Sequence, residues 1–272
     1  MNSPNETPGT PRRRSPPRPV SIVAVRQLSP RAVRVKFGGE QLKGFEPKGP
    51  AEHLRVFFPD PASGKLILPV LGPEGYSFPE DIERPPSRTY TPRTWNPETA
   101  ELEIDFVLHG EGIASQWATN VKPGDQAVIS GRPQGTYFLD YDADWYILAG
   151  DETALPAIAT IVETLPASIP TQVYLEVLDN AEEQELPNLP LMQVFWLHRG
   201  PRKEPPGQLL LSALQNISIP EGNGYVWIGC EASVARSAKK FFIEELLLDE
   251  TMIRAQGYWQ HGSLNHPDHD VA

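Results

Sequence analysis

The chain has 272 residues, 39% of them hydrophobic, enough apolar material for one large core or two ordinary ones. Its single cysteine, Cys230, excludes an internal disulfide and any thiolate-rich zinc or iron–sulfur site. The formal net charge is −11; Arg12, Arg13, Arg14 and Arg18 against Glu6 put +3 in residues 1–19, so the remainder carries −14, which disfavours non-specific nucleic-acid binding.

Residues 1–19 are rich in Pro, Ser and Arg, and a disordered tail is expected. The arginines are not followed by an apolar core, so no secretory signal is read there. No run of eighteen or more apolar residues predicts a membrane span, and a cytoplasmic protein is the expectation. From Val20 short strands are predicted: Val20–Val25, Ala32–Phe37, His53–Phe58 paired with Leu66–Val70, Thr89–Pro92, Leu102–Leu108 and Gln126–Ser130. Strands at this spacing imply an antiparallel β-barrel or sandwich over residues 20–142.

Near residue 143 the rhythm changes. Strands are predicted at Trp145–Ala149, Gln172–Leu178, Gln193–His198, Tyr225–Gly229 and Ala255–Trp259, with helices over Ala154–Thr164, Gly207–Gln215 and Glu231–Leu248. Alternating strands and helices imply an α/β domain with a parallel sheet over residues 143–262. Residues 263–272 read as a flexible polar tail, and its histidines as solvated.

Three segments carry chemistry. In Arg88-Thr89-Tyr90-Thr91-Pro92-Arg93, alternate residues share a face, so Arg88 and Tyr90 can act together on a flat, phosphorylated cofactor. Asp105-Phe106-Val107-Leu108-His109-Gly110 leads into Gly112-Ile113-Ala114-Ser115, a strand, a glycine-containing loop and a helix start whose free amides attract phosphate. Gly150-Asp151-Glu152-Thr153-Ala154-Leu155-Pro156 falls at the carboxyl end of the first parallel strand, where ligands of such sheets bind, although its acidic pair repels a pyrophosphate.

With Gly131-x-Pro133-x-Gly135, Trp196-Leu197-His198-Arg199 and Gly257-Tyr258-Trp259, these segments resemble the siderophore-interacting proteins, flavin-dependent ferric-siderophore reductases of the ferredoxin-reductase-like superfamily, from about Val20 to Gly262. The resemblance implies an FAD-binding β-barrel followed by a nicotinamide-binding domain, with NADPH or NADH as reductant and no iron–sulfur cluster. Arg88 would pair with the FAD pyrophosphate. Tyr90 would pack on the flavin ring, and Thr91 would bond near its reactive edge. Thr89, Asp105, Val107, His109, Ala114 and Ser115 would complete the flavin site. Gly150, Asp151, Thr153 and Ala154 would line the nucleotide cleft, with Arg199 and Arg202 reading a ribose or 2′-phosphate and Tyr258 and Trp259 closing the site. Arg55 and Arg132 would hold an anionic ferric siderophore. The family often has a basic residue after Gly-Tyr-Trp; here Gln260 and His261 follow. Cys230 reads as a small buried hydrophobe. No membrane or nucleic-acid partner is expected, and the chain is expected as a monomer or weak dimer. A general flavin or electron-carrier reductase and a non-catalytic siderophore-binding module remain alternatives.

Overall fold

The computed structural model describes residues 16–60, 63–72, 75–78, 86–110, 112–130, 143–201, 206–263 and 269–270. The first half is a seven-stranded antiparallel sheet. Its strands are β1 (Arg18–Ser29), β2 (Ala32–Gly38), β3 (Leu54–Phe57), β6 (Ser87–Tyr90), β7 (Thr94–Asn96), β8 (Glu101–Val107) and β9 (Gln126–Ile129), hydrogen-bonded in the order β6-β3-β9-β1-β2-β8-β7. The strict alternation of β8 buries Leu102, Ile104 and Phe106 and turns Glu101, Glu103 and Asp105 outward. The sheet curls back on itself, because Tyr90 at one end of the ladder lies 4.3 Å, centroid to centroid, from Phe106 near the other.

The expected pairing of His53–Phe58 with Leu66–Val70 does not form. β3 pairs instead with β6 and β9, while the region after Leu66 makes only a small hairpin of β4 (Val70–Gly72) with β5 (Gly75–Ser77). Apolar composition alone placed a strand at Leu66–Val70; Leu68 and Val70 in fact stand exposed, with no core to face. β7 was not foreseen, being only three residues long.

The second half is a parallel sheet closed by one antiparallel strand. Its strands are β10 (Trp145–Asp151), β11 (Thr171–Val177), β12 (Met192–His198), β13 (Gly224–Glu231), β14 (Ile253–Trp259) and β15 (His269–Asp270), in the order β12-β11-β10-β13-β14-β15. The central β10 is buried along its whole length, as its continuous apolar run requires. Tyr146 and Leu148 face helix α2 (Leu155–Val162) on one side of the sheet. Trp145, Ile147 and Ala149 face α3 (Gln208–Gln215) and α4 (Ala232–Glu244) on the other.

The predicted last helix is shorter at both ends. Glu231 is its N-cap, and the helix stops at Glu244 because Leu247 adopts a left-handed φ of 56° and Leu248 donates its amide back to Phe242. No helix among the described residues is long and apolar enough to cross a membrane.

Candidate functional site

Among the described residues β6 is the terminal strand of its sheet, and one side of its backbone pairs with no other described strand. The register Leu54↔Tyr90 and Val56↔Arg88 puts Arg88 and Tyr90 on one face, as alternation requires. Arg88 donates through Nη1 to its neighbour's carbonyl, Ser87 O, at 2.8 Å. Tyr90 leans on Phe106 and lies edge-on to Phe58, and burial drives its phenol well above the usual range, so it acts as a neutral ring. Thr91 is 7% exposed, and its hydroxyl has no hydrogen-bond partner among the described residues.

Phe106 also packs on Trp117 of helix α1 (Ile113–Asn120), so the Arg88–Thr91 segment and this helix stand against one aromatic cluster. The helix begins at Gly112, with a left-handed φ of 90° and no side-chain cap, leaving its first amides without an internal acceptor. His109 is exposed and folds over this start. Glycine at 112 is favoured by its left-handed φ, and a Cβ there would sit 3.2 Å from His109 Cε1, a close but yielding contact. Ala114 and Ser115 are buried in the first turn. Ser115 Oγ is already committed: it accepts from the amides of His109 at 3.0 Å and Gly110 at 3.2 Å, bracing the loop.

At the carboxyl end of the parallel sheet, Gly150 is a packing glycine. A Cβ there would meet Ala154 Cβ at 2.5 Å and Gly229 O at 2.6 Å. Asp151, 2% exposed, accepts from Thr153 N at 2.9 Å and Trp259 Nε1 at 2.7 Å. Burial foremost, then repulsion from Glu152, pushes its carboxyl up to about 6, with the Thr153 and Trp259 bonds opposing. The acidic pair of the sequence is thus divided between two uses. Glu152 forms a two-pronged ion pair with Arg199, whose Nη1 reaches Glu152 Oε2 at 2.8 Å and lies 4.0 Å from Glu176. Tyr258 is half-buried and edge-on to Trp227 at 6.0 Å. Cys230 is fully buried, and burial raises its thiol well above the ordinary range, consistent with a packing role.

The remaining sequence candidates are dispersed. Asp105 is held by Arg34 directly across β2, at 2.6 and 2.8 Å, and Val107 is half-buried beside it on the same face of β8. Thr89 pairs with Arg55, so these two lie on the face of the β3–β6 pair opposite Arg88 and Tyr90. Arg55 is exposed and makes no ion pair with a carboxylate among the described residues. Arg132 and Arg202, with Gly131, Pro133 and Gly135, lie outside the described residues.

The buried carboxylates Glu52, Glu176, Glu182 and Glu231 escaped the sequence reading, and two of them hold helix starts. Glu176, 1% exposed, accepts from Gly207 N and Leu210 N at the start of α3. Glu231 accepts from Ser233 N and Val234 N at the start of α4 and from His261 N just after β14. For Glu231 the signal was present: an acid directly before Ala-Ser at a helix start. For Glu176, inside an apolar strand, there was none.

The comparisons agree over nearly the whole chain. Residues 21–137 match the siderophore-interacting FAD-binding domain, and residues 143–262 match the siderophore-interacting protein family. A ferric vibriobactin reductase of Vibrio cholerae is 33% identical over 93% of this chain and 93% of its own length. An NADPH-dependent ferric-chelate reductase of Escherichia coli is 32% identical over 89% of this chain and 92% of its own. The crystal structure of a siderophore utilization protein from T. fusca superposes with a TM-score of 0.83 at 35% identity, covering 92% of this chain and 95% of that one. On this agreement of motifs, fold and sequence, the chain belongs to the siderophore-interacting protein family.

Proposed function

We propose that the chain is an FAD-containing, NAD(P)H-dependent reductase that takes ferric siderophores and releases iron as Fe(II) in the cytoplasm. The observation that carries this reading is the junction of β6 with α1. A strand edge and a Thr91 hydroxyl without partners among the described residues, and helix amides without a side-chain cap, gather around one aromatic cluster.

That donor set fits FAD. Arg88 would meet the pyrophosphate together with the amides at the start of α1, a charge-assisted and a dipolar contact to the same anion. Tyr90 would give the ring an apolar, neutral bed, and Thr91 would offer its hydroxyl to the ring's polar edge. Ser115 and Gly112 act one step back, by holding the loop in the shape that keeps those amides exposed. Held by these residues, FAD would supply the conversion of a two-electron hydride from the nicotinamide into single electrons for ferric iron. Reduction weakens the grip of a siderophore's hard oxygen donors, so electron transfer is followed by release of the iron.

On the nucleotide side, Asp151, Thr153 and Trp259 would form a rigid wall of the cleft. The iron complex would approach a protein whose net charge is negative, and the exposed Arg55, without a carboxylate partner, would offset that repulsion for an anionic complex. Facing away from Tyr90, it would act by its field over about 8–10 Å rather than by contact. Anaerobic turnover with a ferrous-specific chelator tests the assignment: Fe(II) should form from a ferric siderophore without added free flavin. Turnover only when free flavin is supplied would make this a general flavin reductase instead.

A further inference from the structure

Polar contacts join the barrel and the α/β domain at three places among the described residues. Ser29 Oγ donates to Glu182 Oε2 at 2.5 Å, and Arg31 N reaches the same oxygen at 3.2 Å. Ala51, from the segment before β3, packs in the α/β core at 6% exposure and donates its amide to Thr160 Oγ1 at 3.0 Å. Its φ of 53° is left-handed, a conformation disfavoured for alanine that persists only where the surroundings impose it. The third contact is Arg93 Nη2 with Glu163 Oε1 at 2.8 Å.

Thr160 and Glu163 are three apart on α2 and its C-cap, and so share one face of the helix. The helix therefore presents that face to the barrel while its other end carries the Asp151–Ala154 loop of the nucleotide cleft. On the barrel side, Arg93 follows Thr91 by two residues and is fixed by its own amide, which donates to Glu103 O at 2.8 Å. A short, stiff path thus joins the flavin segment to the nucleotide loop through one ion pair.

The electrostatics at this pair are lopsided. The Arg93 side chain is 12% exposed, and its Nη1 is buried without a partner among the described residues. Its burial is compensated by Glu163, which is itself 43% exposed. Arg34 also feels the Glu163 charge, but its guanidinium is engaged by Asp105 at 2.6 Å. A buried guanidinium that loses its carboxylate is left as an uncompensated charge, which favours states in which α2 parts from the barrel and water reaches Arg93.

We infer that the Arg93–Glu163 pair is an electrostatic catch that docks α2 on the barrel and so fixes the separation between the flavin and nicotinamide sites. Arg93 is a positioning residue for hydride transfer, and this role rests on the function proposed above. Misplacement by about 1 Å can cost up to about a hundredfold in rate, so the catch should matter for the step that spans both domains. It should matter much less for electron transfer from reduced flavin to iron, whose proposed contacts, Arg55 and Arg88–Thr91, lie on the barrel.

The test uses Glu163→Gln, a substitution at a half-exposed position, with Arg93→Gln as the reciprocal variant and the charge-reversed double variant Arg93→Glu with Glu163→Arg as rescue. In Glu163→Gln, flavin content should stay at the parent level. The rate of flavin reduction at saturating NADPH should fall about tenfold, while oxidation of dithionite-reduced flavin by a ferric siderophore should keep its rate. Amide hydrogen exchange at Ala51 and along residues 155–163, measured on the purified full chain, should quicken in both single variants and recover in the double variant. Unchanged exchange at those amides overturns the catch. So does a parallel loss of flavin, hydride transfer and iron reduction, which would mark general destabilisation. If the parent fails to reduce any ferric siderophore, the proposed function fails, and the exchange measurement still decides the catch.

Discussion

Trp259 Nε1 donates to Asp151 Oδ2 at 2.7 Å, joining the ends of two strands separated in the sheet by β13. This bond and those from Thr153 hold a carboxyl that burial nevertheless pushes from 3.8 to about 6. The native state therefore keeps a proton on Asp151 that the unfolded chain releases between about pH 4 and 6, so this group's contribution to stability falls as pH rises through that window. A rise of that size corresponds to roughly 2–3 kcal/mol. Urea unfolding of the parent and Asp151→Asn at pH 4.5 and 7 should show the parent losing about that much more between the two values. Identical losses would place the titration elsewhere.

Arg199 pairs with Glu152 and lies near the almost fully buried Glu176, so its first duty is internal. Arg199→Ala should leave Glu152 without its partner and Glu176 without a nearby cation, and cost about 2–4 kcal/mol of stability, visible as a lowered Tm. Glu152→Gln should free the guanidinium and improve NADPH relative to NADH in KM. An Arg199→Ala protein of parental Tm, selectively weakened for NADPH, would show instead that Arg199 reads the 2′-phosphate.

Arg88→Ala should purify with most of its FAD lost. A charge-assisted contact is worth about 1.5–3 kcal/mol, or a roughly 10- to 150-fold weaker complex. The ratio of flavin to protein absorbance after gel filtration, followed by titration with FAD, measures it. Full occupancy would remove Arg88 from the pyrophosphate site.

Arg55→Ala should raise KM several-fold for an anionic ferric siderophore at low salt, and the effect should fade as salt rises. A neutral ferric siderophore should be much less affected, and flavin content should not change. Equal effects on both substrates at every salt concentration would exclude electrostatic guidance.

The architecture was largely legible because its signals are periodic: the alternation of β8, the apolar run of β10 and the spacing of α4 each encode the face they bury. The motif strings placed Tyr90, Thr91 and the start of α1 in one neighbourhood. Pairings between charged residues were not legible. Nothing local says that Arg199 turns to Glu152 or Asp105 to Arg34, because such contacts depend on which strands the fold makes neighbours. Nor did Glu163, on the outer turn of an apolar helix, announce a partner seventy residues earlier in the chain. Leu66–Val70 failed because apolar composition does not say whether a core lies beneath the segment.

The most direct test of the account is the visible spectrum of the purified protein under argon, through one reductive and one oxidative step. The account predicts a yellow protein with bound FAD that NADPH or NADH bleaches. Its colour should return on adding a ferric siderophore, with two Fe(II) captured by a ferrous chelator for each flavin reoxidised. A colourless protein that takes up no FAD, or a bleached flavin that the ferric siderophore leaves reduced, would contradict it.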